Sequence, residues 1–122
     1  GTSGRKLDFD WMLAVAAKAV KRWQSGTYIF WRPIKDMDAV AAFDGALASM
    51  LIEQGGIPAD KLLVVDLWVR AIGQGSLAGA GVVIVNPPFG VADHLRAVLP
   101  WLCDLMKQGE GAGWRVENAA QV

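Results

Sequence analysis

Asn86, Pro87, Pro88 and Phe89 follow directly on an apolar run, Val82 to Val85, and are the residues of this chain best suited to chemistry. The asparagine side-chain oxygen and a neighbouring backbone carbonyl can accept hydrogen bonds from an exocyclic amine and so aim its nitrogen lone pair. Two prolines fix the backbone so that both acceptors point one way. An aromatic ring at the fourth position can stack on a base taken out of its own stack. The same residues also suit a plain strand-terminating turn with the phenylalanine buried. Asn86 and Phe89 are therefore the catalytic candidates, with a bland reading beside them. Group transfer would also need a donor pocket: a glycine-rich turn between a strand and a helix, then an acid one strand later. The glycines of residues 73–81 lie between two strands and open no helix. Asp66 is the one acid inside an apolar strand run and reads as a capped or paired residue.

Other reactive side chains are sparse. His94 is the single histidine and has no Cys or acid at ligand spacing, so it reads as a solvated or capping residue and no metal is expected. Cys103, beside Leu102 and near Leu105, reads as a buried thiol. One cysteine excludes an internal disulfide, and a reduced, cytoplasmic setting is the default expectation. No Ser pairs with a His and an acid in an evident way. Arg5, Lys6 and Lys18, with Lys21 and Arg22, could touch RNA phosphates. Interspersed acids make a solvated helix face the plainer reading. Twelve basic residues balance twelve acidic ones, which excludes a global positive field.

Periodicity supplies the elements that must position these groups. Asp8 can cap a helix to about Gln24, with Met12, Val15, Ala16, Ala19, Val20 and Trp23 as its apolar stripe. Ser25 and Gly26 stop it. Thr27 to Trp31 is β-branched and aromatic and reads as a strand, closed by Pro33. Asp36 or Asp38 caps a second helix to about Gln54, with Val40, Phe43, Leu47, Met50 and Leu51 on one face and Gly55-Gly56 as its stop. Lys61 to Val69 is almost unbroken apolar sequence, the mark of a strand covered on both faces. Residues 73–81 read as a loop, Val82 to Val85 as a third strand, Ala92 to Lys107 as a third helix, and Trp114 to Glu117 as a short last strand. The helix between the first two strands predicts a parallel pair with a right-handed crossover. The short second connection predicts an antiparallel third strand. The expected fold class is α/β: about three mixed strands with helices on the faces.

The 122 residues fit one domain. Apolar residues make up 53% and mean hydropathy is +0.29, high for a small chain whose polar skin should be proportionally large. Some apolar surface is thus expected to be covered by something outside the chain. Six tryptophans favour packed layers or an interface. No apolar run approaches a membrane span, so no membrane partner is expected. The opening residues carry no apolar signal segment, and residues 1–5 read as a flexible lead to a single partial domain over residues 1–122.

Three linked segments carry a family resemblance. Gly26 to Ile34 resembles a G-x-Y-x-x-W-x-P strand. Ala80 to Phe89 resembles an (S/A)-G-(M/V)-x-(V/I)-(V/I)-N-P-P-(W/F) segment. Leu99-Pro100-Trp101-Leu102 falls in the last helix. In order and spacing, from Lys6 to about Glu117, they resemble the C-terminal half of the RlmJ family of 23S rRNA adenine-N6 methyltransferases. The four-residue turn alone also resembles the (Asp/Asn)-Pro-Pro-(Tyr/Phe/Trp) signature of amino-methyltransferases. The family resemblance implies otherwise for that turn. The family's catalytic signature is an earlier Asp-Pro-Pro-Tyr, and the Asn-Pro-Pro-aromatic turn follows the last strand. Lys6, Asp8 and Phe9 match residues just after the signature, and Gly1 to Gly4 stand where it would lie.

The resemblance implies strands five to seven of a class I methyltransferase sheet. It implies S-adenosylmethionine as the parent family's cofactor and large-subunit rRNA as its partner, with no cofactor bound by this chain alone and no catalytic residue carried over. The first strand would then present an open edge to the missing N-terminal half or to a second copy. A non-enzymatic interaction domain of the same fold, and a minimal methyltransferase using Asn86 and Phe89, are the competing readings.

Overall fold

Leu62–Trp68, a run in which the first five residues are all buried, is the strand around which the chain is built. The computed structural model describes residues 2–119, with side chains described from residue 10 onward. In chain order the elements are α1 (Thr2–Arg22), β1 (Tyr28–Ile34), α2 (Met37–Glu53), a 3-10 turn (Ala59–Lys61), β2 (Leu62–Trp68), β3 (Gly79–Val85), α3 (Val91–Met106) and β4 (Gly113–Asn118). The fold class is α/β, as expected from the sequence, and the sheet has four strands in the order β1-β3-β2-β4.

Every hydrogen-bonded pair is antiparallel. β1 and β2 do point the same way, as a helical crossover requires, but they are not neighbours. The β2–β3 connection returns β3 beside β2 on the inner side, where it pairs with both. The parallel direction expected of β1 and β2 is thus present, with β3 lying between them and antiparallel to both. β4 pairs with the other edge of β2, and β1 and β4 are the sheet's two edges.

Alternation along the strands sends side chains to two layers. On one face Tyr28, Phe30, Leu62, Val64, Val83 and Val85 pack with Leu13, Ala16 and Val20 of α1 and Phe43, Leu47 and Leu51 of α2. On the other, Leu63, Val65, Val82, Ile84 and Val116 meet Val91, Leu95, Leu99 and Leu102 of α3.

Several boundaries differ from the sequence reading. α1 begins at Thr2, six residues ahead of Asp8, and takes in residues read as a lead; once a downstream turn exists, each added residue gains a bond. Its buried stripe is Leu13, Ala16, Ala17 and Val20, whereas Val15 and Trp23 face solvent. Leu13, Ala16 and Val20 of that stripe share the core with Phe43, Leu47 and Leu51 of α2. β1 runs on through Pro33, which an edge strand tolerates. Asp36 is the cap of α2, its carboxylate accepting from the Asp38 N–H at 2.9 Å. At the other end Gly56 (φ 72°) and the Ile57 N–H to Leu51 carbonyl bond close the helix. Gly79 and Gly81 belong to β3 rather than to the preceding loop.

Candidate functional site

The Asn86-Pro87-Pro88-Phe89 turn sits where β3 ends, beside the starts of β1 and β2. Asn86 adopts the left-handed conformation (φ 54°), which asparagine reaches more readily than most residues. Its Nδ2 donates to the Gln24 carbonyl at 2.6 Å and the Gly26 carbonyl at 2.8 Å. Its backbone N–H donates to the Lys61 carbonyl, and its carbonyl accepts from Thr27 Oγ1. One residue thus ties the α1–β1 turn to the ends of β2 and β3. The Asn86 amide spends its donors on backbone carbonyls that the end of α1 and the following turn leave without helical partners. Phe89 is fully exposed, so the buried phenylalanine of the bland sequence reading is not what forms. This end of the sheet is opposite the carboxyl ends of β1 and β2, the side on which open α/β sheets place ligands.

A second cluster was not legible as a site. The register places Arg32, Gly81, Asp66 and Arg115 in one row across all four strands. Arg32 Nη1 donates to Asp66 Oδ1 at 2.5 Å, and its Nε and Nη2 donate to Asp44 of α2, both at 2.6 Å. Arg115 donates to Asp66 Oδ2 from Nε and Nη2, at 2.9 and 2.7 Å. Arg32, Asp44 and Asp66 are buried, and two guanidinium groups face two carboxylates, so the cluster is neutral. Burial alone would lower the Arg32 pKa; the hydrogen bonds and charges of Asp44 and Asp66 outweigh it and hold the guanidinium further above its ordinary value. Gly81 makes this possible, since a Cβ there would collide with Asp66 Oδ1 and Arg32 Nη1. Among the described residues no buried side-chain N or O lacks a partner. Asp66 is thus the paired strand residue its sequence context indicated. With every acceptor engaged, the cluster binds β1, α2, β2 and β4 together and offers no free base or acid.

Of the remaining candidates with described side chains, Lys18 and Cys103 lie apart from both clusters, and His94 follows the Asn86–Phe89 turn, its N–H donating to the Gly90 carbonyl at 3.0 Å. Lys18 is exposed on α1, beside Lys21 and facing Glu53 and Gln54 of α2 across a shallow depression. The side chains of Arg5 and Lys6 lie outside the described residues. His94 is exposed in the first turn of α3, and Cys103 is buried. Among the described residues no three His, Cys, Asp or Glu side chains converge, and no helix is long and apolar enough to cross a membrane. At the carboxyl end of β2, Arg70 donates to the Leu77 carbonyl and Trp68 Nε1 donates to the Gly111 carbonyl at 2.9 Å.

A family model described as ribosomal RNA large subunit methyltransferase D, RlmJ, matches residues 4–119. The chain belongs to the RlmJ family. Among its relatives, the ribosomal RNA large subunit methyltransferase J of Haemophilus influenzae is 30% identical over 115 residues, 92% of this chain and 38% of that protein. The Escherichia coli protein of the same name is 24% identical over 98 residues, 80% of this chain and 32% of its own length. A crystal structure of a Legionella pneumophila protein shares the fold with a TM-score of 0.76 at 18% identity, covering 97% of this chain and 41% of that one. This RlmJ-family chain therefore spans between about a third and two fifths of the proteins it matches.

Proposed function

We propose that this chain is the C-terminal region of an S-adenosylmethionine-dependent rRNA adenine-N6 methyltransferase, and that it does not transfer a methyl group by itself. The family match over residues 4–119 carries the reading. In that reaction S-adenosylmethionine would supply the methyl group, and the described residues do not fit it. Among the described residues no turn with repeated glycines joins a strand's carboxyl end to a helix start. Asp36, just after β1, is committed to capping α2, and Asp66 is closed off by two arginines. The sequence contains no Asp-Pro-Pro-Tyr.

On this account Asn86 and Phe89 are not catalytic residues. Asn86 is a latch between backbone segments, supported by its two donated hydrogen bonds. The chain's role is to supply a folded wall of the enzyme, with Lys18, Arg5 and Lys6 as contacts for rRNA phosphates. The substrate puts the place of action in the cytoplasm. The partner through the β1 edge is the rest of the methyltransferase or a second copy. Ile29 and Trp31, 64% and 62% exposed on that strand, support a partner there. They also favour the second reading, a non-enzymatic interaction domain of the same fold.

A graft separates the two. This chain replaces the 115 matched residues of the H. influenzae methyltransferase J, and incorporation of labelled methyl groups into large-subunit rRNA is measured. Our reading expects incorporation by the folded graft and none by the chain alone. A folded graft without activity, or activity of the chain alone, would overturn it.

A further inference from the structure

A hollow of about 840 Å³ lies at the β4 edge, and none of its lining residues belongs to the Asn86 turn or to the charge row. Trp68 and Trp114 supply its aromatic surface. The last turns of α3 form the facing wall, and residues 109–113 close it. That loop is shaped around the Trp68 ring. The indole Nε1 donates to the Gly111 carbonyl at 2.9 Å, and the Gln108 N–H donates to the Val69 carbonyl at 2.7 Å. A Cβ at Gly113 would sit 2.6 Å from the ring, so glycine lets β4 start beside it. With its N–H engaged, Trp68 has its ring to offer a ligand.

The electrostatics of the hollow are one-sided. α3 ends at it, which brings the partial negative charge of the helix's carboxyl end, and no basic residue lies in the last turn. Pro100 has no N–H, so it gives no bond to the Arg96 carbonyl one turn back. Lys107 is spent on Asp104, at 2.8 Å. Glu110 has no ion-pair partner among the described residues. The lining thus carries a net negative charge in a chain whose formal total is zero.

That chemistry selects an occupant. Indole faces attract cations, and tryptophan does so best. Ring faces, helix carbonyls and an unpaired carboxylate together favour a cation with donors to give, and they repel phosphate. An ammonium is a compact, strongly hydrated charge. A guanidinium is planar and weakly hydrated, and it can stack on a ring while its N–H groups fork onto a carboxylate.

We propose that this hollow binds an arginine side chain presented by a basic polypeptide, its guanidinium against the Trp114 ring and its N–H groups donating to the Glu110 carboxylate. The site is independent of the methyl-transfer reading. It gives the chain a protein partner at β4, the sheet edge opposite β1.

The probe is an acetylated, amidated Gly-Gly-Arg-Gly-Gly peptide titrated into the chain, with the indole N–H resonances of Trp68 and Trp114 followed by NMR. Both resonances are expected to shift and saturate. The same peptide with citrulline, neutral and of like shape, should bind about tenfold more weakly or worse. Trp114→Ala and Glu110→Gln, read at the Trp68 resonance, should each weaken binding about fivefold or more. Trp114→Phe should recover part of the loss, and Glu53→Gln on α2 should change nothing. Trp114 and Glu110 reach solvent, and unchanged circular dichroism of each variant checks that the fold survives. No saturable shift, equal affinity for the citrulline peptide, or affinity unmoved by both Trp114→Ala and Glu110→Gln would overturn the proposal. Tighter binding of spermidine or of an oligouridylate at the same two indoles would also overturn it, by making the occupant a polyamine or an RNA.

Discussion

The α1–α2 face and the α3 face of one sheet differ in how completely they close. Two helices cover the first, and Val20, Leu47, Leu51, Leu62, Val64, Val83 and Val85 there are at most 1% exposed. One helix covers the second, and its layer stops short of β1. Both faces are built from the same strands, whose residues alternate sides. The difference therefore lies in helix count: one helix about 10 Å across cannot shield four strands. The closed face also carries the charge row, which holds β1 to β2 across β3 and to α2 above. β1 is thus fixed to the closed side even while its other side is bare.

That contrast can be broken from the closed side first. Asp66→Ala removes the partner shared by both arginines and leaves buried positive charge, which should cost about 3–5 kcal/mol in urea unfolding. A loss below about 1 kcal/mol would mean the row does not hold the sheet. Leu51→Ala, in a site at 0% exposure, should cost about 2–5 kcal/mol, with Leu99→Ala under α3 toward the lower end because its less covered layer can relax. Equal losses at both sites would argue that the faces are equivalently packed. Asn86→Ala removes two hydrogen bonds and puts a poorer residue at positive φ, for about 1–3 kcal/mol of stability. In the grafted methyltransferase it should leave methylation per folded molecule unchanged; a collapse of activity without loss of stability would make Asn86 catalytic. Ile29→Thr, on the bare side, should change stability by no more than about 0.5 kcal/mol.

The sequence announced the elements better than their arrangement. Leu62–Trp68 was visible because both faces are apolar, and Asp36 because a cap is a local event. The place of β3 between β1 and β2 was not visible, since strand order depends on which edge a loop returns to. The charge row shows the same limit. Asp66 in an apolar run and Arg32 in an aromatic one each signal a buried partner. Only the register shows that the two share a row across a glycine. The Asn-Pro-Pro-Phe turn shows the same limit: its composition suits an amine, and only the structure shows its amide donors on backbone carbonyls. The surplus of apolar residues was informative. It pointed to an uncovered surface, and exposed Ile29 and Trp31 on β1 locate that surface.

Calorimetric titration of the chain with S-adenosylmethionine tests the central claim most directly, because the account holds that these residues build the wall of a methyltransferase without its donor site. No saturable heat is predicted for the chain alone. Saturable binding with a stoichiometry near one would contradict the account and return Asn86 and Phe89 to the centre of an active site.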